Sequence, residues 1–268
     1  MKEVQISRID ISTQKIELRK DFVAEERPLH IFLNQTHYVT ILCSPSQLKE
    51  LAIGHLLAEG VLKSIDDIQE IRLRKDGKCR VRLRPGVDAE KRISVSQPFA
   101  RLILSSCGSP DYWPLSKLID RLRLSNVPLG LTVEAKVILD SVKRLNTLAE
   151  TFRKTGGVHV AALYSAKGEL RTLAEDVGRH NAVDKVVGLG VSRRLTFEDC
   201  YLASSGRLTG DIVLKSARMR IPIVASMTAA TDSGVDAAQR TGLTLVGFAR
   251  GKRMNVLAHP QRIVFKTD

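Results

Sequence analysis

The sequence predicts an α/β protein in two parts, and three observations carry that prediction. The last third alternates short apolar runs with helical stretches, the βαβαβ rhythm of a parallel sheet. The first third instead strings together an alternating strand, a helix and a hairpin, an α+β order. At 268 residues the chain also exceeds the usual size of one simple domain. The expected division is an N-terminal α+β domain over 1–105 with strands, one helix and a basic hairpin, a cysteine loop and linker over 106–128, and a second domain over 129–268.

In the first part, HYVTILC alternates apolar and polar residues, with Val39, Ile41 and Cys43 on one strand face. Ser44, Pro45 and Gln47 read as a capping box opening the helix QLKELAIGHLLAEG, which Gly60 stops. EIRLRKDGKCRVRLR predicts a hairpin turning at Asp76-Gly77, a dipeptide that tolerates the positive φ of a tight turn. Its apolar face carries Ile71, Leu73, Cys79, Val81 and Leu83. Arg72, Arg74, Arg80, Arg82 and Arg84 share the other, as a solvated basic face or a docking surface for an acidic partner. RLILSSCGSPDYWP then leaves Cys107 in a turn of serine, glycine and proline.

In the second part, VEAKVILDSVKRLNTLAETFRKTGG is predicted as a helix ended by its glycine pair. VHVAALYSA and ELRTLAED flank Lys167-Gly168 as a hairpin, and VGRHNAVDKVVGLG reads as a helix with a glycine stop. CYLASSG, IPIVASM and LTLVGFAR are the strands of the βαβαβ run, separated by the helical RLTGDIVLKSARMR and DSGVDAAQRTG. Parallel strands end at one edge, so the segments after Ala203, Ser226 and Phe248 should converge. They hold two helix starts and the cations Arg250, Lys252 and Arg253, a combination suited to a phosphate or diphosphate.

A net charge of +13 implies an anionic ligand or partner. A basic nucleic-acid-binding protein is the alternative from another class, but aromatics at 4% leave few stacking platforms, and no helix-turn-helix or zinc-finger signature occurs. No apolar run is long enough to span a membrane, and MKEVQISRIDIS lacks the apolar centre of a signal, so the expected location is cytoplasmic. The four cysteines stand far apart and are expected as reduced thiols, with Cys43, Cys79 and Cys200 buried. His180 and Asp184 share a helix face and read as a hydrogen-bonded structural pair, since no third metal ligand accompanies them. Glu175, Asp176 and His180 follow a strand and are expected to line the pocket, while His159 is assigned to the core.

FRKTGGVHVAAL, AEDVGRHNAVDKVVG, SSGRLTGDIVLKSA, IPIVAS, TGLTLVGFARGKRMNV and HP, with LAIGHLLAEGV in the first part, resemble the FdhD family of formate dehydrogenase accessory proteins over nearly the whole chain. The resemblance implies a sulfur carrier, a sulfurtransferase that takes sulfur from a cysteine desulfurase. It would pass that sulfur to the bis-molybdopterin guanine dinucleotide form of the molybdenum cofactor before the cofactor enters formate dehydrogenase. Cys107 matches the family's persulfide-carrying cysteine, and Phe248, Ala249, Arg250, Gly251, Lys252 and Arg253 match a segment that contacts the cofactor. Ser205, Gly206 and Thr228, from the two converging loops, complete the expected cofactor site. The resemblance also implies a homodimer and a three-layer, cytidine deaminase-like fold for 129–268. The deaminases' H-x-E and P-C-x-x-C motifs are absent, so no zinc and no deaminase chemistry are expected. Many family members carry a second cysteine three residues after the first; Pro110 stands there here, which favours carriage by a single thiol. A cofactor-binding chaperone without sulfur transfer is the other alternative.

Overall fold

A computed structural model describes residues 1–94 and 126–265. Cys107 and nearly all of the expected 106–128 linker lie outside the described residues. The chain opens with strands β1 (Lys2–Asp10) and β2 (Lys15–Val23), which pair only with each other. Next come β3 (Arg27–Leu33), β4 (Thr36–Cys43), β5 (Ile68–Leu73) and β6 (Lys78–Leu83), a sheet in the order β4-β3-β6-β5. Helix α1 (Leu48–Ala58) covers its apolar face, where Leu51 and Leu56 pack with Leu29, Ile31, Cys43, Cys79 and Val81. The alternation in HYVTILC is borne out, with Cys43 buried and Leu42 turned outward. All five arginines of the hairpin are exposed, and Gly77 supplies the positive φ of its turn at 80°.

The helix start differs from the expected capping box. Gln47, not Ser44, sits at the N-cap of α1, at φ 55° and with no side-chain cap bond. Ser44 is drawn elsewhere: its N–H donates to the Asp176 carboxylate at 3.0 Å, and its hydroxyl accepts from the Val177 N–H at 3.2 Å. A buried charged acceptor outcompetes a local cap, because a hydrogen bond to an ionised group is worth about twice a neutral one. The C-terminal stop is as expected, with Gly60 at φ 77°.

In the second part β7 (Val133–Glu134) leads into α2 (Ala135–Leu148) and α3 (Glu150–Thr155). The single predicted helix is therefore broken, at Ala149. The cause is Glu175, whose carboxylate accepts the Thr151 and Phe152 N–H groups at 3.1 and 2.6 Å and caps a new helix start there. Then follow β8 (His159–Ser165), β9 (Leu170–Asp176), α4 (Arg179–Ser192), β10 (Cys200–Ser204), α5 (Gly210–Arg218), β11 (Ile223–Ser226), α6 (Asp232–Thr241), β12 (Thr244–Arg250) and β13 (Arg253–Ala258). The short β14 (Ile263–Val264) returns to pair with β7.

These strands form a six-stranded sheet, β13-β12-β11-β10-β8-β9, in which β10, β11 and β12 run parallel as predicted. Period-two alternation divides the sheet's side chains between two cores. Val160, Ala162, Tyr164, Tyr201 and Ala225 meet α2 through Ile138, Val142 and Leu145. Ala161, Leu163, Leu202, Val224 and Leu245 meet α4, α5 and α6 through Val186, Val213 and Ala237. The result is the expected α/β/α layering.

Helix α4 does not stop at its glycines; it runs through Gly188 and Gly190 to Ser192. Those glycines serve packing. A Cβ on Gly188 would lie 2.0 Å from the Glu50 carbonyl oxygen, and one on Gly54 would lie 1.7 Å from that of Asp184, so α1 and α4 cross in backbone contact. Two buried lysines reinforce this seam. Lys185 pairs with Asp176 at 2.6 Å and donates to the Ser44 carbonyl, while Lys215 lies between Asp184 at 2.9 Å and Glu59 at 3.0 Å.

Candidate functional site

Chain direction puts the ends of β10, β11 and β12 on one edge of the sheet, and hydrogen bonds between the following loops hold them together. The Ser226 hydroxyl donates to the Gly206 carbonyl at 2.7 Å, and the Phe248 N–H donates to the Thr228 carbonyl at 2.9 Å. The Leu208 N–H donates to the Ala229 carbonyl at 3.0 Å. The expected convergence is thus present, with Gly206, Thr228 and Phe248 gathered at the edge. Ser205 holds the loop in place, since its hydroxyl accepts the Val160 N–H at 2.9 Å. Ala249 is buried.

The basic segment divides between two places. Arg250 lays its guanidinium 5.2 Å from the centre of the Phe248 ring. Gly251 and Lys252 form the β12–β13 turn and, with Arg253 at the start of β13, line a cleft of about 640 Å³ together with Lys136, Leu139 and Met254.

The first turn of α4 brings further groups to the loop edge. A Cβ on Gly206 would meet that of Arg179 at 2.8 Å, so glycine at this position lets Arg179 lie across the loop. The Arg179 Nε is buried and has no hydrogen-bond partner among the described residues. His159 is half-buried rather than core. Burial, and then the charges of Arg179, His180 and Arg207, push its pKa below the ordinary value, so it is a neutral imidazole beside a cationic cluster.

His180 contacts Asp211 at the start of α5, not Asp184. Burial alone would raise the Asp211 carboxyl, but His180, the Thr209 hydroxyl and the Arg179 charge hold it well below the usual carboxylate range. Asp184 pairs instead with Lys215 and with His55, whose Nδ1 lies 3.2 Å away. The two residues do share a helix face, as their spacing requires, but one turn of rise separates them, so His180 meets the start of α5 at Asp211 while Asp184 meets its later turn at Lys215, and α1 at His55. Glu175 and Asp176 do not line the site either. Glu175 caps α3, and Asp176 is fully buried among Ser44, Gly178, Asn181 and Lys185.

Arg179, Arg207 and Asp211 were not singled out from the sequence. The signal for Arg179 was available in the topology: β9 and β10 are both antiparallel to β8, so GRHN, directly after β9, must emerge at the same edge as the loop after β10.

The described cysteines are chemically quiet. Burial pushes the Cys43 thiol up to about 12 and the Cys79 thiol up to about 11, and raises that of Cys200. None is a thiolate near neutral pH, and the fourth, Cys107, lies outside the described residues. Among the described residues no three His, Cys, Asp or Glu side chains gather as a metal cluster, and no helix is long and apolar enough to cross a membrane.

Residues 24–264 match the model of the FdhD/NarQ family. The chain is 38% identical over 268 residues to the sulfur carrier protein FdhD of Sulfolobus acidocaldarius, covering 97% of this chain and 99% of that one. It is 35% identical over 263 residues to the protein of the same name in Methanothermobacter thermautotrophicus, with 98% of each covered. A crystal structure of a formate dehydrogenase accessory protein from Desulfotalea psychrophila superposes with a TM-score of 0.75 at 28% identity, covering 98% of both chains.

Proposed function

Because this chain belongs to the FdhD/NarQ family, we propose that it is a sulfur carrier that loads sulfur on Cys107 and holds a guanine dinucleotide at the strand edge. The donor in this reading is a cysteine desulfurase persulfide. The Cys107 thiolate attacks its outer sulfur, a new S–S bond forms, the old one breaks, and the donor cysteine departs as thiolate. The sulfur is then delivered to the bis-molybdopterin guanine dinucleotide cofactor, the cargo, before formate dehydrogenase receives it.

The observation that carries the binding half is the placing of Arg179 and Arg207 at the Gly206 loop, with Arg250 over the Phe248 ring at the end of β12, beside the Thr228 loop. These three arginines form no ion pair among the described residues. Unmatched guanidiniums next to helix starts fit the diphosphate of a dinucleotide. The quiet thiols at Cys43, Cys79 and Cys200 support the carrier half, since they leave Cys107 as the candidate nucleophile.

Intact-protein mass spectrometry after incubation with a cysteine desulfurase and cysteine tests the carrier. A gain of about 32 Da, one sulfur atom, that vanishes in Cys107→Ala is expected from thiolate exchange. No gain in wild type, or an equal gain in the variant, would leave a cofactor-binding chaperone without sulfur transfer.

A further inference from the structure

The outer face of the N-terminal sheet carries a charge pattern that the fold does not use. Helix α1 covers the inner face, and alternation turns Arg72 of β5 and Lys78, Arg80 and Arg82 of β6 outward. Arg74 and Arg84 follow directly on these strands and are exposed. The two strands hold one acid, Glu70. It pairs with Arg72, and Asp76 in the turn pairs with Lys78 at 3.2 Å. Arg74, Arg80, Arg82 and Arg84 form no ion pair among the described residues.

The register sets Arg72 directly opposite Arg80, and like charges so placed destabilise a sheet. Exposure to water does not require this arrangement. The β1–β2 ribbon is at least as exposed, yet its register sets Arg8 opposite Glu17 and Asp10 opposite Lys15. One solvated hairpin of this chain balances its charges across strands, and the other holds guanidiniums in surplus.

The surplus calls for an anion, and the rest of the face indicates which kind. Its rings are already engaged, which disfavours the base stacking that a single-stranded nucleic acid needs. Phe32 is half-buried, with the Arg80 guanidinium 6.0 Å from its ring centre and the His37 ring edge-on at 5.3 Å. His30 Nδ1 and His37 Nε2 lie 2.9 and 3.0 Å from the Thr40 hydroxyl. Guanidinium forks pair bidentately with carboxylates. Arg80, Arg82 and Arg84 recur at every second residue, about 6.8 Å, the repeat at which an extended peptide presents alternate side chains. This chain supplies no such anion: residues 95–125 hold four Lys or Arg against two Asp, and a second copy would bring a net charge of +13.

We propose that the outer face of β5 and β6 docks an extended acidic segment of a partner protein, laid along β6 with alternate carboxylates on Arg80, Arg82 and Arg84. The inference rests on this face alone and is independent of the sulfur-carrier reading.

Fluorescence anisotropy of the full chain with a labelled peptide of alternating Glu and Thr tests it. Arg80→Thr/Arg82→Thr/Arg84→Thr should bind at least about tenfold more weakly than wild type, with the circular dichroism spectrum unchanged, since threonine suits a strand. Arg84→Glu, beyond the end of β6, should by itself weaken binding several-fold. The same loss of charge on the ribbon, in Arg8→Thr/Lys15→Thr/Lys20→Thr, should change affinity by less than about twofold. Labelled oligouridine should lose less than the peptide between wild type and the β6 variant. Peptide binding by the β6 variant and by Arg84→Glu as tight as wild type would overturn the docking face, as would an equal loss in the ribbon variant. A larger loss for oligouridine than for the peptide would make the face a nucleic-acid site and overturn the acidic segment.

Discussion

Cations occupy two regions of this molecule in opposite ways. In the seam between α1, α4 and α5, Lys185 and Lys215 are wholly buried and each is matched: Lys185 by Asp176 and two carbonyls, Lys215 by Asp184 and Glu59. At the strand edge, Arg179, Arg207 and Arg250 are at least partly open to solvent and form no ion pair among the described residues. A buried charge without a counter-charge is too costly to persist, so the seam must satisfy itself. A site that awaits an anion instead keeps its cations uncommitted and partly hydrated. Matching marks structure, and the lack of it marks binding.

The largest effect expected from this contrast is in the seam. Asp184→Ala leaves Lys215 buried with Glu59 as its remaining acid and removes the partner of His55, so urea unfolding should show a loss of about 3–5 kcal/mol. Gly188→Ala forces α1 and α4 apart and should cost about 1–3 kcal/mol in the same assay. A loss below about 0.5 kcal/mol, the range of ordinary surface substitutions, in both would mean the seam is not the structural region described here.

The edge should respond in the opposite sense. Arg179→Ala with Arg207→Ala should leave unfolding within about 0.5 kcal/mol of wild type, because neither arginine side chain makes a hydrogen bond or ion pair among the described residues and Asp211 keeps its closer partners His180 and Thr209. Guanosine diphosphate affinity should fall at least about tenfold for each arginine removed, in keeping with charge-assisted hydrogen bonds of about 1.5–3 kcal/mol.

A smaller effect sharpens the comparison through pH. Asp184 and Asp211 are held below their unfolded values, so their stabilisation is present above the unfolded carboxylate pKa, about 3.9, and is lost as pH falls through the lower folded values. Unfolding midpoints should therefore drop as the solution is acidified below about pH 4, and Asp211→Asn should flatten that dependence. An unaltered acid profile in Asp211→Asn would mean that His180 and Thr209 do not hold this carboxylate in its charged form.

The edge was legible in the sequence because its signals are local. Short apolar runs gave β10, β11 and β12, and strand direction then placed Gly206, Thr228 and Phe248 together. The misreadings arose where distant partners decide. Ser44 has a capping-box pattern, yet Asp176, far along the chain, takes its N–H. GLG at the end of α4 looks like a stop, yet Gly188 is there for the Glu50 carbonyl of α1. The break at Ala149 depends on Glu175 from β9. The β1–β2 ribbon was not read from the sequence although KIELR alternates polar and apolar residues: its apolar positions Ile16 and Leu18 are exposed, so no buried face or packed partner backs the short pattern.

The most direct test of the account is calorimetric titration of guanosine diphosphate into wild type and into Arg179→Ala/Arg207→Ala, with thermal unfolding of both measured alongside. The account predicts clear binding by wild type, loss of at least about a hundredfold in the double variant, and matching unfolding curves. Equal binding by both proteins would contradict it, as would a double variant whose fold collapses, since those arginines would then be structural and not a site held open for an anion.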